Sequence, residues 1–275
     1  MDLSIMEWNI NQRMNYSKTD MPEWIADVIQ EHKADIVILT ELYKGNNWDN
    51  VKKKAFDDVR YNLFESSNYQ GGNNDVAIAI NKDKLDVIYA KTYFSCNHTV
   101  PDHLEVKCKA KGVNKEILVV GMRIHAMNIT DKEKEEQLKF VLNSVIDENV
   151  IIGGDFNNNR RGYTAPGHWH IQRMDEIIAN HFERKTPEGS SIYVENPLKV
   201  EYEFAEDHFL IKGIESDKFI LEPYNREFCE KDRNIYKWRN DFQEYMGKDK
   251  KGNNMYNSIP APYPDHAFIK GYFEL

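Results

Sequence analysis

The chain has 275 residues, a formal net charge of −9 at pH 7 and 41% hydrophobic residues, enough apolar material for a sizeable core. The acidic balance argues against broad, sequence-independent duplex binding, whose affinity comes from Lys and Arg neutralising phosphates, but leaves room for a local basic groove. Cys96, Cys108 and Cys229 are widely spaced and odd in number, which suits neither a disulfide framework nor a zinc cluster and points to reduced thiols.

In chain order, Met1-Asp2 leads straight into Leu3 to Ile10, which reads as a strand. No basic stretch followed by an apolar core precedes it, and no apolar run approaches the roughly 18 residues of a membrane span. A soluble, cytoplasmic chain with no obligate protein partner is therefore expected. Asp20-Met21-Pro22-Glu23 predicts a helix start with a capping acid and an early Pro, and Ile25, Val28 and Ile29 supply the apolar face. Ile36 to Leu39 is a second buried strand, with Glu41 just past its carboxyl end. Val76 to Ile80, Leu85 to Tyr93, Leu104 to Lys109 and Ile117 to Ile124 read as successive strands joined by short turns, which suggests antiparallel pairing.

Thr130-Asp131-Lys132-Glu133 has the capping-box pattern, with Leu138, Val141, Leu142, Val145 and Ile146 at helical spacing behind it. That helix feeds the apolar strand Val150 to Ile152. Gly153 and Gly154 are then expected to let the backbone turn. If the extended conformation persists, Asp155 and Asn157 point to one side and converge on one ligand, while Phe156 turns away into packing. Ile171, Met174, Ile177 and Ile178 predict a further amphipathic helix, and Phe209 to Ile211 a further strand. Residues 222–263, rich in Tyr, Asn, Lys and Trp, read as an insertion before a final strand, Ala267 to Phe273. No Ser/Gly/Pro-rich spacer or internal repeat divides the chain, so one domain over 1–275 is the simpler expectation. Periodicity alone supports α/β or α+β.

Six short motifs occur in order: Trp8-Asn9-Ile10, Thr40-Glu41-Leu42, Arg123-Ile124-His125, Gly154-Asp155-Phe156-Asn157, Asp207-His208-Phe209-Leu210-Ile211 and Pro264-Asp265-His266. Together the chain resembles the endonuclease/exonuclease/phosphatase superfamily, the deoxyribonuclease-I-like phosphoesterases. The resemblance implies a four-layered α/β sandwich: two central, mostly antiparallel β-sheets flanked by helices, in two pseudo-equivalent halves. It also implies hydrolysis of phosphate esters with Mg²⁺ or Mn²⁺.

A phosphate ester repels nucleophiles, so its hydrolysis needs charge neutralisation, an activated water and help for the leaving oxygen. The resemblance assigns the metal to Glu41 and Asn9, with Asp265 contributing directly or through water; Mg²⁺ favours such hard oxygen donors. Asp155 and Asn157 would orient the attacking water, with Asp155 able to accept its proton. Asp207 would fix the tautomer of His266, which faces the phosphate. Pro264 stands where the family has Ser. His125 matches a His that in some branches contacts the scissile phosphate or protonates the leaving group. Arg123, two residues earlier, reads as a phosphate clamp, or as an ordinary ion pair. Asn73 and Asn74 precede a strand where the family often has a substrate-facing polar group. Arg160 and Arg161, with Tyr163 and His168-Trp169-His170 nearby, suggest a grip on phosphate and a stacked base, or simply a solvated loop around one buried Trp. His168 and His170 lack a third ligand spaced for zinc. His208 should point away from Asp207's side, and Pro101-Asp102-His103 reads as a surface loop.

The substrate expected from these features is a phosphodiester in nucleic acid or nucleotides. The alternative is a small phosphorylated metabolite or lipid headgroup, with residues 222–263 lidding a compact pocket. A non-catalytic binding protein on the same fold is disfavoured because every main position is filled.

Overall fold

The computed structural model describes residues 1–10, 21, 23–42, 44–45, 47–67, 75–94, 103–126, 129–158, 168–192, 205–225, 235–236, 243–252, 254–258, 261–262, 264 and 266–275. The first part comprises β1 (Asp2–Asn9), α1 (Trp24–His32), β2 (Ile36–Leu42), α2 (Trp48–Ala55), β3 (Tyr61–Glu65) and β4 (Asp75–Asn81). The second comprises β5 (Leu85–Tyr93), β6 (His103–Ala110), β7 (Glu116–Arg123), α3 (Asp131–Ser144), β8 (Val150–Asp155), α4 (Ile171–Ile178), β9 (Glu183–Lys185) and β10 (Asp207–Lys212). β11 (Phe219–Leu221), β12 (Ile235–Tyr236), β13 (Gln243–Lys248), β14 (Asn254–Ser258), β15 (Ala261–Pro262) and β16 (Ile269–Glu274) complete the order.

Two six-stranded sheets result, ordered β11-β16-β1-β2-β4-β3 and β5-β6-β7-β8-β10-β9. Their strand directions repeat. Each sheet has one parallel pair at its centre, β1 with β2 and β7 with β8, and antiparallel neighbours outward on both sides. A helix makes each parallel crossover, α1 in the first sheet and α3 in the second, as parallel connection requires. The second halves of the two sheets, β4 and β3 against β10 and β9, follow the same plan. β12 pairs with β15, and β13 with β14, as small two-stranded sheets apart from the main ones.

Side-chain alternation sorts the core into three layers. Leu3 and Ile5 of β1, Ile36 and Ile38 of β2, Ile117 and Val119 of β7, and Phe209 and Ile211 of β10 fill the space between the sheets. Met6, Trp8, Val37 and Leu39 face outward onto Ile25 and Ile29 of α1 and Trp48 and Val51 of α2. Leu118, Val120, Val150 and Ile152 face outward onto Leu138 and Val141 of α3 and Met174 and Ile178 of α4. The four-layered sandwich is thus built, with both sheets buried on two faces. No helix among the described residues is long and apolar enough to cross a membrane.

Several local expectations need correction. β4 and β5 are sequence neighbours but lie in different sheets, so the antiparallel run expected from Val76 to Ile124 is broken where the chain crosses between layers. α1 begins at Trp24; its flanking Glu23 makes no side-chain capping bond, and Asp20 lies outside the described residues. The capping box of α3 is present, with Glu133 N donating to Thr130 Oγ1 and Thr130 N donating back to the Glu133 carboxylate. The helix nevertheless stops at Ser144: Val145 is extended and stays in the core, which turns Ile146 out to 85% exposure. α2 and β3, for which no expectation was formed, complete the first half.

The glycines of β8 do not make a turn, because the strand continues through them to Asp155. Their smallness serves close approach. A Cβ on Gly153 would lie 2.7 Å from the Phe209 ring and 2.8 Å from Ile38, and one on Gly154 would lie 1.8 Å from the Met122 carbonyl oxygen. Nor is His103 on a surface loop; Pro101 and Asp102 lie outside the described residues, but His103 is buried at the start of β6. Its Nε2 sits 3.0 Å from Glu105 Oε1, and its ring stacks on Tyr93. The aromatic and the carboxylate take it inside by covering its ring face and pairing its N–H.

Candidate active site

At the carboxyl ends of the two central parallel pairs, the apolar filling between the sheets gives way to polar side chains. β1 supplies Glu7 and Asn9 on the same face as Leu3 and Ile5. β7 supplies Arg123, β8 Asp155 and β10 Asp207, all on the inward-facing alternation of their strands. Ligand sites of open α/β sheets form at this end of the strands.

Glu41 reaches the same space by a different device. It lies within β2 rather than beyond it, at a left-handed φ of 52°, where the register against β4 shifts between Leu39 and Leu42. Such a bulge re-aims a side chain that simple alternation would send to the outer face. Glu41 Oε1 consequently meets Arg123 Nη2 of the opposite sheet at 2.6 Å. The same guanidinium places Nε 3.5 Å from Asp155 Oδ2. Arg123 is therefore held between carboxylates across the two sheets, the ion-pair reading, with its side chain only 13% exposed.

The Asp155 carboxylate accepts three hydrogen bonds. Its Oδ2 accepts from Asn9 Nδ2 at 2.9 Å and from Asn157 Nδ2 at 2.8 Å, and its Oδ1 accepts from Asn157 N at 2.8 Å. Asn157 arrives there by folding back at a φ of 43°, not by continuing the strand. Asp155 and Asn157 thus meet by bonding to each other, and the extended geometry expected between them is absent. Asn157 Nδ2 also donates to Ile124 O at 2.6 Å, so its amide nitrogen ties the Asp155 turn to the end of β7. Phe156 turns into the outer core, as alternation requires.

His266 comes from the segment before β16. Its Nδ1 lies 2.7 Å from Asp207 Oδ2, and Trp8 Nε1 donates to its carbonyl at 3.1 Å. A carboxylate at that nitrogen favours the tautomer with the ring proton on Nδ1. His208, one residue on from Asp207, faces the opposite way. Its ring is fully buried, with Nδ1 2.9 Å from Thr186 Oγ1 and Nε2 3.1 Å from Asn158 Oδ1. His125 is also buried, and its backbone N–H donates to Gln137 Oε1 at 3.0 Å. Among the aromatic-cluster residues, His170 caps α4 by accepting from Arg173 N at 3.2 Å, His168 Nδ1 lies 3.2 Å from Asp131, and Trp169 is buried. Asp265, Asn73, Asn74, Arg160 and Arg161 lie outside the described residues.

Negative charge is in excess here. Glu7, Glu41, Asp155 and Asp207 are each at most 2% exposed, with the Arg123 guanidinium paired to two of them and the His266 ring to a third. Burial, and then the Asp207 charge, push the Asp155 carboxyl up to about 7. Burial and then the charges of Asp207 and Asp155 raise Glu7 well above the ordinary carboxylate range. Among the described residues, Glu7 Oε2 and Asp207 Oδ1 have no hydrogen-bond partner. Hard, buried oxygens with uncompensated charge are a donor set suited to a divalent cation. No three His, Cys, Asp or Glu among the described residues converge into a ready-made metal cage.

Glu7 and Gln137 were not anticipated. Glu7 left a readable signal, an acid on the inward alternation of an otherwise apolar strand. Gln137 left little, because a polar residue beside Leu138 looks solvated until the helix is docked.

A protein-family model described as "Endonuclease/Exonuclease/phosphatase family" matches residues 6–271. No curated protein matches the chain. Among solved structures, an endonuclease/exonuclease/phosphatase from Bacteroides vulgatus is similar with a TM-score of 0.62 at 14% identity, covering 100% of this chain and 99% of that one. D. rerio TDP2 complexed with single-strand DNA product is similar at 0.58 and 15% identity, covering 100% and 99%. A mannosyl-6-phosphatase from Bacteroides thetaiotaomicron is similar at 0.59 and 13% identity, covering 98% of each chain.

Proposed function

Since the chain belongs to the endonuclease/exonuclease/phosphatase family, whose members hydrolyse phosphate esters, we propose that it is a divalent-metal-dependent phosphodiesterase acting on nucleic acid or nucleotides. The observation that carries this reading is the meeting of Asp155, bonded to Asn9 and Asn157, with the His266–Asp207 pair and the Glu41–Arg123 pair at one end of the sandwich.

Glu41 and Asn9 are the residues proposed to hold Mg²⁺ or Mn²⁺, and Asp265 is the further ligand the sequence offers. Asn9 spends its amide N–H on Asp155, which orients its oxygen as the remaining donor atom. When bound, the cation would neutralise phosphate charge and help the leaving oxygen.

Asp155 takes the proton of the attacking water. Its carboxyl, pushed up to about 7, is matched to proton transfer near neutral pH. Asn157 holds that carboxylate in place through two bonds. His266 presents Nε2 to the phosphoryl oxygens, with its other nitrogen fixed by Asp207. His125 is proposed as a second imidazole for the leaving group, and Arg123, paired with both, sets the spacing of Glu41 and Asp155.

The fold neighbour carrying a single-strand DNA product supports the polynucleotide branch. The sugar-phosphatase neighbour and the net charge of −9 favour the alternative, a small phosphorylated metabolite. Purified protein assayed with Mg²⁺, Mn²⁺ or EDTA on single-stranded DNA, duplex DNA, RNA, bis-p-nitrophenyl phosphate and p-nitrophenyl phosphate separates the two. Metal-dependent cleavage of a polynucleotide supports the first branch, and activity on small esters alone supports the second. Glu41→Ala, Asp155→Ala and His266→Ala should each remove most turnover; wild-type rates in any of them would sink the assignment.

A further inference from the structure

Among the described residues the register of β6 on β7 begins at His103, opposite Met122, and on the same side of β7 Arg123 O and His125 N are bonded by a helix. On the other side the ladder is intact: Ile124 N donates to Asp155 O at 2.9 Å, and Ile124 O accepts from Asn157 Nδ2.

Gln137 of α3 makes both of these bonds. Its Oε1 accepts from His125 N at 3.0 Å and its Nε2 donates to Arg123 O at 3.0 Å, and the side chain is 3% exposed. A primary amide carries an acceptor oxygen and a donor nitrogen in one plane, as a peptide unit does, so a single glutamine can make the paired bonds that a neighbouring strand makes. Few other side chains offer both atoms at that spacing. One turn earlier on α3, Lys134 Nζ donates to Asn157 O at 3.2 Å, so the same helix face also holds the Asp155 turn.

We infer that Gln137 is a positioning residue for the phosphoesterase reaction, acting as a side-chain extension of β6 that fixes the backbone of Arg123 and His125. This rests on the function proposed above. Without the clamp, Arg123 O and His125 N lose these two bonds, and Arg123 loses its aim at Glu41 and Asp155. Gln137 touches no substrate in this role, so its loss lowers turnover and not ground-state binding.

The test uses Gln137→Met, which removes both bonds at similar volume, and Gln137→Glu, which keeps an acceptor for His125 N–H and removes only the donor to Arg123 O. Two readouts are taken with the full chain: native-state amide exchange at Ile124 and His125, and kinetics with Mg²⁺ on bis-p-nitrophenyl phosphate or whichever ester the wild type cleaves. Loss of one buried hydrogen bond should speed His125 exchange about tenfold in Gln137→Met. Ile124, bonded to Asp155, should keep its protection, and Gln137→Glu should lie between. A misplaced reacting group should lower kcat about tenfold to a hundredfold, with KM changed less than about twofold. Wild-type kcat in Gln137→Met, or a rise in KM alone, overturns the positioning role. Unchanged His125 exchange overturns the clamp. If Gln137→Met fails to fold, the same comparisons are read from Gln137→Glu. A wild-type protein inert toward every ester overturns the phosphoesterase reading and the catalytic half of this inference, whereas the exchange data still decide the clamp.

Discussion

Arg123 of one sheet and Glu41 of the other form an ion pair of 2.6 Å across the gap between them. Both groups are largely withdrawn from water, so removing one strands the other's charge in a poor solvent. Arg123→Met is expected to destabilise the metal-free protein by about 3–5 kcal/mol, the usual loss on breaking a buried pair from one side. Mg²⁺ should restore part of this, because a cation at Glu41 relieves the same charge. Chemical denaturation with and without Mg²⁺ measures both; equal losses under the two conditions would count against a metal at Glu41.

Asp155 gives the metal-free protein a distinctive pH dependence. Its carboxyl, raised to about 7, stands above the roughly 3.9 of an unfolded aspartate. The folded chain binds that proton more tightly, so the stability it contributes is fully present below about pH 4 and is lost as pH rises through about 7. Asp35 works the other way. Its burial is outweighed by hydrogen bonds from Ser4, Lys84 and Asn81, its pKa lies below the ordinary value, and its contribution is lost as pH falls. The neutral range is therefore the one to read. Urea midpoints should decline toward about pH 8 and Asp155→Asn should flatten the decline; a midpoint rising through neutrality contradicts the assignment.

Asp207→Asn tests the imidazole. The amide keeps the shape but not the charge, and its N–H can turn the His266 tautomer around, leaving a proton on Nε2. Turnover should fall by about a hundredfold or more while thermal stability changes little. NMR of the imidazole nitrogens should report the proton's move; retention on Nδ1 with full activity would remove His266 from the chemistry.

Gly154→Ala should be costly for a reason unrelated to charge. The added methyl meets a backbone carbonyl oxygen at 1.8 Å, which no rotamer change can relieve. An overpacking loss of about 3 kcal/mol or more follows, visible as a lower Tm. A variant melting with the wild type would mean that β8 and β7 separate more readily than their register implies.

Much of this architecture was written in short-range pattern. The inward alternation of Leu3, Ile5, Glu7 and Asn9, or of Phe209 and Asp207, needs only the period of a strand, and the Thr130 capping box needs only four residues. The missed features depend on what lies across the fold. α2 turns three lysines to solvent and buries little beyond Trp48, Val51 and Ala55, so its apolar signal is weak. Glu41 points inward only because a bulge reverses the face that alternation assigns. Asn157 meets Asp155 through a left-handed residue that a polar tip does not announce. Gln137 acquires meaning only once α3 is docked and its amide meets Arg123 O and His125 N, a matter of tertiary placement rather than composition.

The Gly121 and Gly153 positions, where an added Cβ would press on Val76 and Ile38 of the facing sheet, set how closely the two layers lie. The candidate site is shared between those layers: Asn9, Glu41 and His266 ride on one, Arg123, Asp155 and Asp207 on the other. The spacing of reacting groups is thus inherited from the thickness of an apolar slab. Neither half carries a complete site alone. A wedge placed deep in the slab should register at its rim as a change in turnover, so that some kinetic defects in this protein will originate among leucines and isoleucines that never meet a substrate.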